Sequence, residues 1–174
     1  MTLTFLAHSA SLNSTCNGQP LTEHLRAVAG MAAEGARPLG IERAAHCVGL
    51  LHDLGKYHPD FQRRLAGAAV RVDHSTAGGA ILLREADARD RIAAEALAYC
   101  ILGHHAGLPD KMNGTETSLA RRLETFADGL DPSWRREIAV DLDGVGAELV
   151  AKASGESRVY PALIGGSEGG DRFS

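Results

Sequence analysis

Little in this chain is basic, aromatic or sulfur-bearing. Eighteen Lys and Arg stand against 22 Asp and Glu, for a formal net charge of -4. The electrostatic footprint of a stand-alone nucleic-acid binder is therefore missing, and a nucleic-acid partner would have to be drawn in by bound cations or by a second protein. Aromatics are 5% of the residues and hydrophobics 44%, with Ala and Leu dominating. That balance speaks against a sheet rich in Val, Ile, Tyr and Thr and for packed helices, so the expected fold is all-α. Cys16, Cys47 and Cys100 are odd in number and show no CxxC spacing, which argues against a disulfide framework and a cysteine zinc site. Cys47 and Cys100 sit in apolar helical patterns and read as small buried residues in a reducing compartment. No run approaches the ~18 apolar residues that span a bilayer, and the N-terminus lacks a basic start with a long apolar core. The expectation is a cytoplasmic protein with no membrane partner. A GxxxxGK[ST] phosphate loop is absent too, so these 174 residues encode no helicase motor.

What is present has the length of one ordinary domain. Leu21, Leu25, Val28 and Ala32 recur at helical spacing before Gly35 and Pro38, which predicts a helix over Leu21 to Ala36 with His24 on its apolar side. A second helix, from Ile41 to Leu54, is expected to stop at Gly55 and to point His52 inward at its C-terminus. Asp60 to Leu65 reads as a helical turn, and Asp73-His74-Ser75-Thr76 as the polar start of a helix to Glu85. Asp87 to His104 is the longest pattern, with His104 ending its inward stripe, and Gly107-Leu108-Pro109 forbids continuation. Ser118 to Ala127 and Pro132 to Leu142 complete the expected helices, with Trp134 and Phe126 in the core. A domain over residues 1–154 and a loosely ordered tail over 155–174, marked by Gly165-Gly166 and Gly169-Gly170, follow from this pattern.

The chemistry lies in histidine. His24, His52, His74, His104 and His105 fall at helix ends or on inward faces, where Leu or Ala is the ordinary choice, and burying unpartnered imidazoles is costly. A metal centre accounts for them. Adjacent side chains on a helix diverge, so in His52-Asp53 the carboxylate can bridge two ions while the imidazole binds one. Such a pair of ions suits phosphate-ester hydrolysis. Lys56, three residues after Asp53, is placed either to touch a phosphoryl oxygen or to satisfy the helix C-terminus. His46, His58 and His8 read as ordinary packed or surface residues, although His8-Ser9 could line a substrate path.

The phrases Leu51-His52-Asp53-Leu54-Gly55-Lys56, Asp73-His74-Ser75-Thr76-Ala77-Gly78 and Gly103-His104-His105-Ala106-Gly107-Leu108-Pro109 resemble the HD superfamily of metal-dependent phosphohydrolases. More narrowly, they are similar to the HD nuclease of the CRISPR-associated helicase-nuclease of type I interference, over roughly Leu21 to Asp110. The resemblance implies a compact helical HD bundle holding two divalent transition-metal ions (Mn, Fe, Co, Ni or similar). It implies His24, His52, Asp53, His74, His104 and His105 as ligands, Asp53 as the bridge, and Lys56 at the scissile phosphate. Single-stranded DNA would be the substrate, and a helicase domain or subunit and the RNA-guided surveillance complex the partners, in antiviral defence. The family pattern also expects a later Asp ligand. Asp110, Asp141, Asp143 and Asp171 read as solvated, with Asp171 the one substitute weighed. A weaker second metal site is the consequence expected. Two other readings stand beside this one: a nucleotide or cyclic-nucleotide phosphohydrolase on the same scaffold, and a non-catalytic docking module with an incomplete metal shell.

Overall fold

The computed structural model describes residues 4–9, 18–105, 107–111, 115–142 and 144–154. The expected tail over 155–174, and with it Asp171, as well as Cys16 and Asp143, lie outside the described residues. The fold is all-α: α1 Leu21–Ala36, α2 Glu42–Leu51, α3 Pro59–Leu65, α4 Thr76–Glu85, α5 Arg91–Gly103, α6 Leu119–Thr125, α7 Trp134–Ile138 and α8 Val145–Ala153. Among the described residues the only β pairing is an isolated antiparallel bridge between Leu6 and Pro20.

Two helix pairs build the core. α1 lies along α2 and α4 along α5, with Leu21, Leu25, Leu51, Leu54, Tyr57, Ile81, Ile101 and Leu102 buried between them. α1 has the bounds its apolar spacing predicts. It stops in a 3-10 turn, Arg37–Leu39, closed by Gly40 in the left-handed region at φ 62°. The buried stripe of α2 is Ala44, Cys47, Leu50 and Leu51. That helix ends three residues early, at Leu51, before a 3-10 turn Leu54–Tyr57. Gly55 is not a left-handed cap; it is small because a Cβ there would overlap the His74 backbone. Gly78 plays the same part on α4, where a Cβ would run into the Leu51 carbonyl. These two close approaches bring the start of α4 against the end of α2.

The two cysteines differ from each other. Cys47 is buried, and burial pushes its thiol up to about 12, whereas Cys100 is exposed, against the expectation that both are buried. Its position on α5 is the reason: Ala93, Leu97 and Ile101 face the core, and Cys100 falls beyond the edge of that stripe. Trp134 is 4% exposed and in the core. α7 stops at Ile138, short of the expected Leu142, because Ala139 turns left-handed at φ 40°.

α8 was not expected. Gly144 and Gly146 break its pattern, yet its Glu148 supplies the N-cap that α2 lacks, accepting the backbone N–H of Arg43 (3.0 Å) and Ala44 (2.7 Å). Glu148→Ala is expected to cost about 1–2 kcal/mol, the scale of a lost helix cap, without altering metal binding. Urea unfolding beside a metal titration checks it; an unchanged midpoint would show that the cap contributes nothing. No helix among the described residues is long and apolar enough to cross a membrane.

Candidate metal centre

The site is made of helix ends. His52 terminates α2, His104 terminates α5, and His74 stands two residues ahead of α4. His24, from the second turn of α1, completes the ring, its Nε2 3.3 Å from His52 Nε2.

At both helix C-termini the same local contact recurs. His52 Nδ1 lies 2.8 Å from the Gly49 carbonyl and His104 Nδ1 2.6 Å from the Ile101 carbonyl. A carbonyl only accepts, so each Nδ1 carries the proton and donates it. In the neutral ring each Nε2 is then a lone pair, and both are aimed at Asp53, at 3.1 Å from Oδ2 for His52 and 3.5 Å from Oδ1 for His104. A lone pair facing a carboxylate oxygen is repulsive. A cation between them, a proton or a metal ion, makes it favourable, and a second-shell carbonyl on the far ring nitrogen is the usual companion of a histidine ligand.

Asp53 divides the cluster. Its Oδ2 faces His24 (3.3 Å), His52 and Lys56 Nζ (2.7 Å), while Oδ1 faces His74 and His104, each at 3.5 Å. Oδ1 is buried and has no hydrogen-bond partner. Donor atoms of Asp53, His74, His104 and His105 form one set and those of His24, His52 and Asp53 another, all within 4.8 Å of one another in each set. His74 Nε2 and His105 Nε2 are 2.7 Å apart. Ligands about one ion at ~2.0–2.1 Å have neighbouring donor atoms roughly 3 Å apart, so these spacings fit. An orphaned buried carboxylate oxygen amid converging lone pairs is what a bound divalent ion would satisfy.

The electrostatics agree. Burial alone would raise the Asp53 carboxyl, yet His104, His52 and the Lys56 ammonium outweigh it and hold the group well below the usual carboxylate range. Burial pushes His74 down to about 4, and burial together with neighbouring imidazoles lowers His24 and His105. Those three rings stay neutral and available as ligands. His104 is the exception: burial pulls it down, but the Asp53 carboxylate and the Ile101 carbonyl outweigh that and raise it. With no metal bound, His104 therefore takes up a proton more readily than a free imidazole.

Over residues 9–160 the sequence matches the family described as Cas3, HD domain. The chain belongs to that family. No curated protein matches the sequence. An HD nuclease domain of the Cas3 type accounts for the all-helical fold and for a His/Asp cluster able to hold metal ions.

Within this HD domain the six ligands nominated by sequence, His24, His52, Asp53, His74, His104 and His105, all enter the two sets. Lys56 lies inward. It is 5% exposed, and besides Asp53 it donates to the Ala7 carbonyl at 3.0 Å, fastening the N-terminal strap to the site. That strap, bracketed by the Gln62 amide on the Leu6 backbone, carries His8 to within 5.1 Å of the His24 ring, edge to face. His46 is exposed, and His58 caps α3, its Nδ1 accepting from Asp60 N. Among the described residues no further acid joins either set; Asp141 is exposed and pairs with Arg43 at 3.6 Å.

Two more residues stand beside the site: Asp73, which the sequence marks only as part of the polar start of α4, and Arg122, which it does not single out. Asp73 accepts from the backbone of Ser75 and Thr76 and from both hydroxyls, and these contacts with Arg122 hold its carboxyl below the ordinary value against burial. An Asp two and three residues ahead of a Ser-Thr helix start is a capping signal, so this role was legible. Arg122 reaches the same spot from α6, 49 residues away in sequence, and nothing local announces it.

Proposed function

We propose that this HD domain is a metal-dependent nuclease that hydrolyses phosphodiester bonds of single-stranded DNA in type I CRISPR defence. It would work in the cytoplasm beside a helicase and an RNA-guided surveillance complex. The observation that carries this reading is the division of Asp53, one oxygen toward each set of imidazoles. Asp53, His74, His104 and His105 would hold one ion, and Asp53, His24 and His52 the other, each a divalent transition metal such as Mn, Fe, Co or Ni. When bound, two such ions supply Lewis acidity, activating a water and offsetting the charge that develops at phosphorus.

The protein's own contribution is placement. The Gly49 and Ile101 carbonyls fix the His52 and His104 tautomers, so both rings present Nε2. Lys56 spends one N–H on Asp53 and one on Ala7; an ammonium has three donors, and the third is the one available to a phosphoryl oxygen. His104 and His105 lie at the surface, and two open clefts, each lined in part by Asp73 and Arg122, adjoin the segments that carry the ligands. Such an open floor suits a flexible strand, whereas stacked duplex would have to distort to bring a phosphate to both ions.

Digestion of matched single- and double-stranded DNA with Mn, Co or Ni, alongside mononucleotides and cyclic nucleotides, tests this. Single strands are expected to be cut and duplexes spared. Equal rates on both would contradict the substrate reading, turnover of nucleotides alone would make the domain a nucleotide phosphohydrolase, and no turnover of any would leave a docking module.

A further inference from the structure

Arg122 sits where two ligand-bearing segments meet. Its Nε donates to Thr76 Oγ1 at 2.9 Å, one terminal nitrogen to the Leu102 carbonyl at 3.0 Å, and the other to Ser75 Oγ at 2.8 Å and toward Asp73 at 3.4 Å. Its side chain is 16% exposed. Thr76, Ser75 and Asp73 form the entry to α4, immediately around His74. Leu102 is in the last turn of α5, two residues before His104, where the final helical carbonyls lack partners and favour a cation. One guanidinium therefore clamps the segment that carries His74 to the segment that carries His104 and His105. α6 is itself fixed to the loop after His105, since Leu119 N donates to the Asp110 carbonyl (2.8 Å) and Ala120 N to the Lys111 carbonyl (3.2 Å). His24 and His52 come from α1 and α2, to which Arg122 makes no hydrogen bond or ion pair among the described residues.

We propose that Arg122 is the positioning residue of one half of the metal centre, the set formed by Asp53, His74, His104 and His105, and that it leaves the His24–His52–Asp53 half to other contacts. The inference rests on the two-ion reading above. The fork geometry is what the role requires: five N–H donors in one plane reach three side chains and a backbone carbonyl at once, which a lysine ammonium on its flexible stem does not.

Co(II) titration of the metal-free full chain tests it, with each half isolated in turn. His52→Ala leaves the three-ligand half two donors, and the double substitution His104→Ala/His105→Ala leaves the four-ligand half two donors, which disables each in turn. In the His52→Ala background, Arg122→Gln is expected to weaken Co(II) binding about 10–100-fold, the usual effect of removing an outer support of a metal ligand. The visible Co(II) absorption of that site should change with it. In the His104→Ala/His105→Ala background the same substitution is expected to shift affinity by less than about two-fold. Arg122→Lys, which keeps the charge without the fork, is expected to show the same selectivity with a smaller loss. Equal weakening in both backgrounds would make Arg122 a general structural residue and overturn the assignment, as would unchanged binding in the first. If Arg122→Gln fails to fold, Arg122→Lys and Thr76→Val, which removes one acceptor of the clamp, carry the same comparison. A wild-type chain that binds no Co(II) at all would defeat the two-ion reading itself, a result obtained before any Arg122 variant is made.

Discussion

Asp53→Ala is expected to empty both halves of the metal centre and to reduce DNA cleavage to background. Each carboxylate oxygen serves a different set of imidazoles, so one substitution removes a ligand from both. It also has a cost outside the chemistry. From sequence, Asp53 is a ligand and nothing more, and its loss should leave the fold intact; in the structure, Lys56 is buried with its ammonium 2.7 Å from Asp53 Oδ2. Removing one partner of a buried ion pair strands the other, at about 3–5 kcal/mol. The Asp53→Ala chain should accordingly unfold at markedly lower urea, and Asp53→Ala with Lys56→Met should recover much of that loss without recovering metal. Elemental analysis, a single-strand digestion and urea unfolding of the three proteins decide the matter. Near wild-type cleavage by Asp53→Ala with Mn or Co supplied would refute the shared-carboxylate centre.

The second large effect is on metal affinity and its pH dependence. Divalent ions are expected to bind in two unequal steps, because one set offers four donors and the other three, and the three-donor set has the Lys56 ammonium against its carboxylate oxygen. Both steps should weaken in acid, since protons compete for the same nitrogens. His104, raised above its ordinary value, feels that competition at higher pH than His74, which is down at about 4. Apparent Kd should rise roughly ten-fold per pH unit for each proton displaced. Calorimetric titration from about pH 8 to pH 5 reads this directly, and an affinity constant across that range would rule out histidine ligation. The metal-free fold carries the opposite pair of signs. The folded chain holds His74 below its ordinary value of 6.5, so the unfolded chain binds the extra proton and stability falls as pH drops from about 6.5 to about 4. His104, raised in the folded protein, stabilises the fold in acid and loses that contribution as pH rises through its folded value.

Much of the centre was legible because it is built from local rules. Histidine at the end of an apolar stripe, with Gly three residues on, marks a candidate ligand at a helix C-terminus, and His52 and His104 make the same kind of carbonyl contact there. α1 could be bounded residue by residue because its spacing, proline and glycine signals all agree. Where such signals conflict, neighbours along the chain point to the wrong bounds. Gly144 and Gly146 mask α8, a single position separates the core edge from solvent at Cys100, and Ala139 ends α7 in a left-handed turn that its side chain does not advertise.

By itself, the sequence determined the helical class, the family and the residues able to hold metal, since composition, periodicity and motif spacing are properties of neighbours along the chain. Tertiary structure alone decided how Asp53 is shared, that Lys56 is buried against it, that Glu148 caps a helix 104 residues away, and that Arg122 fastens α4 to α5. The physical reason is that hydrogen bonds and charge pairs are fixed by distances of a few ångströms in space. Sequence separation carries no record of those distances once the chain has turned back on itself.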